Sequence, residues 1–103
     1  MINDHVLDLI EQIKKECNPV QIILISNKIN TKDELISFKL CIIVNDVPSV
    51  AELEGELYMK LDCEIPFDLL VYNLSEWEDL TAVVDTFAFK VKNAGVVLYE
   101  QGK

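Results

Sequence analysis

Two hydrophobic rhythms alternate along this chain, one with the period of a helix and one with the near-continuous apolarity of a covered strand. Asn3 offers a helix N-cap, and Val6, Ile10, Ile13 and Cys17 follow at helical spacing. Asn18-Pro19 then stops the pattern, predicting a helix over 4–16. The β-branched run from Val20 to Ile25 predicts a strand, and its near-continuous apolarity predicts cover on both faces. Residues 26–34 are polar and read as a loop. A second strand is predicted over 37–44, with 40–44 as its buried part, before a turn at Asn45-Asp46-Val47-Pro48.

Ser49-x-x-Glu52 has the form of a capping box, and Val50, Leu53, Leu57 and Leu61 share a helical face over 50–61. After Pro66, residues 67–72 predict a third strand. Ser75-x-x-Glu78 reads as another capping box, and Trp77, Leu80, Val84, Phe87 and Val91 predict a helix over 76–93, broken near Thr81. In this reading Trp77 and Phe87 face the core, and Phe89 falls away from it as an exposed aromatic suited to a partner contact. Gly95 is placed to end the helix. Residues 96–99 predict a last strand and 100–103 a tail. The predicted order is α-β-β-α-β-α-β. It makes an α+β (α/β) domain, with a small mixed sheet of about four strands and helices packed on it.

The 103 residues predict one domain, and half of them are apolar, as in a folded chain. No apolar run reaches the roughly 20 residues of a membrane span. The opening Met-Ile-Asn-Asp-His carries no basic region leading into an apolar stretch, so no signal peptide and a cytoplasmic location are expected. The net charge is −9 and arginine is absent, which disfavours nucleic acid as a partner. Cys17, Cys41 and Cys63 lie far apart, predicting neither a disulfide framework nor a zinc site. His5 reads as a surface residue.

Three segments carry a family resemblance. The ending Gly95-Val96-Val97-Leu98-Tyr99-Glu100, the segment Phe67-Asp68-Leu69-Leu70-Val71-Tyr72-Asn73-Leu74-Ser75 and the strand Ile22-Ile23-Leu24-Ile25 occur in the order and spacing of a minimal nucleotidyltransferase domain. The whole chain resembles the short, polymerase-beta-like (MNT-type) kind that pairs with HEPN-domain proteins. In that family the first strand runs into Gly-Ser, the next opens with Asp-x-Asp, and a third acid lies on a later strand. Here Ser26-Asn27 stands at the Gly-Ser position and Ser37-Phe38-Lys39 at the Asp-x-Asp position. A one-residue slip would put Phe38 and Leu40 there instead. Asp68 alone keeps the carboxylate. Magnesium needs hard oxygen ligands, and a lysine in place of one repels the ion. The resemblance therefore implies the frame of a metal site whose metal-binding residues are gone.

From this follow the expected properties. The relic catalytic positions are Ser37, Lys39 and Asp68. No metal-dependent transfer is expected, and no cofactor. Asp68 has two readings, a relic metal ligand and a solvated acid at a strand's open end. Lys39 is expected to face Asp68 and to form an ion pair in place of the metal. The first functional reading is a catalytically inactive protein-interaction or regulatory module of antitoxin-like kind. Its partner would be a HEPN-type helical protein, with self-association as a further expectation. The second is a weak nucleotidyltransferase, which would recruit Asp33, Glu34 or Asp46 to hold magnesium. The third is a nucleotide sensor binding ATP through Ser26, Asn27 and Lys39, with Lys28 and Lys32 as nearby cations.

Overall fold

The computed structural model describes residues 3–102; Met1 and Ile2 of the opening segment and Lys103 of the predicted tail lie outside the described residues. Eight elements follow one another: α1 (Asp4–Cys17), β1 (Gln21–Ile29), β2 (Leu35–Val44), α2 (Val50–Lys60), β3 (Phe67–Asn73), α3 (Leu74–Thr81), α4 (Phe87–Ala94) and β4 (Val96–Glu100). The strands form one mixed sheet in the order β3-β2-β1-β4. The β1–β2 and β1–β4 pairs are antiparallel, and β2–β3 is parallel. The fold is thus the predicted α+β class, with one helix more than the predicted order.

Alternation along β2 builds two cores. Phe38, Leu40, Ile42 and Val44 join Ile22, Leu69 and Val71 beneath α1 and α2, whose Leu9, Ile13 and Leu57 are fully buried. Cys41 and Ile43 join Ile23 on the opposite face, against Trp77 of α3 and Ala88 and Val91 of α4. Helices therefore cover both faces of the central strands, which is why their sequences are almost continuously apolar.

The caps explain most helix boundaries. The Asn3 side chain accepts from the His5 N–H at 2.7 Å, and the Ser49 hydroxyl accepts from the Glu52 N–H at 3.2 Å. Asn18 closes α1 in the left-handed region at φ 45°. The second predicted capping box does not form. Helix α3 starts two residues earlier than predicted, and Ser75 lies inside it, its hydroxyl donating to Asp46 Oδ1 at 3.1 Å. Asn73 takes the cap position, but its side chain is occupied by both polar groups of the Val47 backbone.

The last predicted helix is two helices. Thr86 caps the second one by accepting from the Phe89 N–H at 3.1 Å, and its own hydroxyl donates to the Leu80 carbonyl at 2.6 Å. The break resets the helical phase, so Ala88 and Val91 take the core-facing positions. Phe87, predicted to face the core, is 50 % exposed instead. Phe89, predicted to be exposed, is half-buried. Gly95 does end α4, though not through a left-handed turn: its φ is −75°. A Cβ there would stand 2.5 Å from Ile23 Cγ2 and 2.6 Å from the Val91 carbonyl, so the helix end needs glycine for close approach to β1.

Candidate functional site

The predicted loop over 26–34 is mostly strand. Strand β1 runs on to Ile29, and the turn proper is confined to 30–34. Asn30 organises it: its side-chain oxygen accepts from the Lys32 and Glu34 N–H groups at 2.8 and 3.0 Å. Asp33 supplies the left-handed residue at φ 62°, which is how the turn closes without glycine. Residues 26–29 are polar or exposed because the strand has passed beyond the helices, not because the backbone leaves the sheet.

A bulge sets the geometry at the point where the cover ends. Leu24 pairs with Leu40 and Ser26 with Lys39, leaving Ile25 as the extra residue. Ile25 packs on the α3/α4 side of the sheet, and the shift turns Ser26 toward the same side as Lys39. Beyond it Asn27 pairs with Phe38 and Lys28 with Ser37. On the other flank of β2, Lys39 is the register partner of Asp68 at the start of β3. Ser26, Lys28, Ser37, Lys39 and Asp68 consequently share one face of three adjacent strands.

These side chains line an open depression of about 280 Å³ with Asn27 and Phe38. The expected relic and nucleotide-binding positions Ser26, Asn27, Ser37, Lys39 and Asp68 are gathered there, whereas Lys32 is not among the lining residues. Asn27 holds a different place from the rest. It alternates with Ser26 across the strand and also borders a second hollow of about 230 Å³, between the start of α1 and Leu98. Phe38 and Leu40 are buried in the α1/α2 core, so a one-residue slip would put core side chains at the acid positions. The residue that sequence reasoning undervalued is Lys28. Counted as strand rather than loop, it stands two residues beyond Ser26 and on the same face.

The expected ion pair is absent. Lys39 and Asp68 are register neighbours, but both are exposed, and each stays solvated. The ion pair among the described residues is Glu11–Lys14 at 3.1 Å, and His5 Nε2 lies 3.9 Å from Glu64, a contact that is ionic only with a protonated imidazole. An exposed pair gains little from contact, because water screens the attraction and both side chains lose rotamer freedom. Nothing forces Lys39 down onto Asp68, so the depression remains open.

The residues present do not fit a magnesium ion. Asp68 is the one carboxylate in the depression, and two lysines share the space with it. The acids considered as substitutes are elsewhere. Asp33 and Glu34 belong to the hairpin turn, and Asp46 accepts from Ser75 at the opposite end of β2. Among the described residues no three His, Cys, Asp or Glu side chains are grouped so as to hold a metal. No helix among the described residues is long and apolar enough to cross a membrane. No family model, curated protein or solved structure matches this chain.

Proposed function

We propose that this chain is a nucleotidyltransferase-like domain without metal chemistry, a pseudoenzyme that works by binding as a protein-interaction or regulatory module of antitoxin-like kind. The observation that carries the reading is the set of groups around Asp68. Nucleotidyl transfer depends on carboxylates that hold divalent ions on the phosphates and the attacking oxygen. Here Ser37 and Lys39 stand beside Asp68 on adjoining strands, and Lys28 adds a second cation. A HEPN-type helical protein is the partner that the resemblance suggests, in the cytoplasm, and the acidic surface suits a basic contact face.

The test is to restore the acids. Ser37→Asp with Lys39→Asp should create a Mn²⁺ site, read by calorimetry or by paramagnetic broadening near Asp68, while the parent chain shows none. Binding of Mn²⁺ at Asp68 in the parent chain would contradict the proposal.

One observation favours a second reading, a nucleotide sensor. Lys28 and Lys39 face the same open depression as the Ser26 hydroxyl, and lysine ammonium groups can meet phosphates without a metal. Nucleotide binding that is independent of magnesium and weakened by Lys39→Ala separates this reading from the first.

A further inference from the structure

The corner between α3 and α4 is apolar, exposed and held from within. Among the described residues ten large apolar side chains are exposed, and three of them, Val83, Val84 and Phe87, fall within five positions here. Their exposures are 52 %, 66 % and 50 %. The sequence offered Phe89 as the exposed aromatic of this region, and the helix break puts Phe87 there instead. The Thr86 hydroxyl donates to the Leu80 and Val83 carbonyls at 2.6 and 2.9 Å. The Val83 and Thr86 N–H groups donate to the same two carbonyls at 3.1 and 3.2 Å. The apolar side chains are thus fixed before a partner arrives, which lowers the ordering cost of binding.

The charge around this corner has one sign. Residues 61–89 carry seven Asp and Glu and no lysine or arginine. Glu78 and Asp79 are exposed toward the C-terminal end of α3, whose last turn holds no basic residue. Asp85 is exposed within the corner itself. Carboxylates at that helix end meet the negative pole of the dipole, so a cation brought there from outside is attracted by both.

Resting on the reading of the chain as a binding module, we infer that this corner docks a positively charged amphipathic helix of another protein. The apolar stripe of that helix covers Val83, Val84 and Phe87, and its lysine or arginine side chains meet Glu78, Asp79 and Asp85. A strand is not selected, because the corner is turn and helix end. Its backbone hydrogen bonds close on themselves, so it has no ladder to extend and is read by side chains. A second copy is not selected either, since it would bring the same carboxylates against these.

A two-dimensional amide NMR titration of the full chain tests it. The probe is a synthetic helix of leucine and lysine, about 18 residues or five turns long, with a control that has glutamate at each lysine. The lysine helix should move signals centred on residues 78–87, less so at high salt, and the glutamate helix none. Val84→Ser with Phe87→Ser should weaken binding by about tenfold. Asp79→Asn with Asp85→Asn should weaken it by about threefold and flatten the salt dependence. No shift at millimolar lysine helix, or equal shifts with the glutamate helix, overturns the proposal. Shifts centred on Glu52, Glu54 and Glu56 of α2 and indifferent to Phe87→Ser overturn it as well, while keeping the binding reading. Mn²⁺ bound at Asp68 of the parent chain would end that reading without moving any signal at the corner. If the double serine variant does not fold, the mapped shifts and the asparagine variant decide.

Discussion

At Gly95 the side chain is a single hydrogen because two neighbours occupy the space a methyl group would need. The Ile23 branch could yield only by leaving its rotamer, and the Val91 carbonyl is held by the Gly95 N–H at 2.8 Å. Gly95→Ala is expected to cost about 1–3 kcal/mol in chemical denaturation. Trp77 and Phe87 make a contrasting pair. Trp77 is 6 % exposed and tilts against Tyr72 at 5.4 Å, so Trp77→Ala should cost about 3–5 kcal/mol. Phe87→Ser should change stability by less than about 0.5 kcal/mol, because half of that ring is already in water. The thiol of Cys41 gives a pH dependence. Burial pushes it up from 9.0 to about 12. A thiol raised on folding contributes its stability in full below pH 9 and loses it as the pH rises toward 12. Thermal unfolding followed across that window should fall less steeply for Cys41→Ala than for the parent; identical slopes would remove Cys41 from the account.

Among the elements, the β1–β2 hairpin carries the site and Tyr58 protects one edge. Tyr58→Phe keeps the stack on Phe67 but leaves the Leu69 N–H without its acceptor. A loss of about 1 kcal/mol is expected, with faster exchange of the Leu69 amide. The sequence made the buried parts of the elements legible, because Leu40 to Val44 could only be a strand covered twice and Val6, Ile10 and Ile13 only a helix stripe. Its weak point was where cover ends. Ser26, Asn27 and Lys28 look like loop residues by polarity, yet they are hydrogen-bonded strand facing water. Asn30 and Asp33 were the available signal for the turn. The break between α3 and α4 was legible in its place, near Thr81, but not in its length. No local pattern marked Thr86 as a cap, and Phe87 was misassigned with it. That Lys39 and Asp68 lie on facing strands was an expectation from the resemblance, and the β2–β3 register pairs them. The ion pair was not legible, because whether two exposed charges meet depends on solvation rather than on spacing.

For the whole molecule, helices on both faces leave the sheet open in two places: the polar end around Ser26, Lys39 and Asp68, and the β4 edge. The −9 charge is concentrated away from the first of these, where Lys28 and Lys39 outnumber Asp68. An acidic molecule with a locally cationic depression will not gather divalent ions there. The most direct measurement of that claim is a two-dimensional amide NMR titration with ATP, run with and without Mg²⁺. The account predicts that magnesium changes nothing at Ser26, Asn27, Lys39 and Asp68, whether ATP alone moves these signals or leaves them still. Shifts at those four residues that appear only when magnesium accompanies ATP would contradict it and assign metal chemistry to the depression.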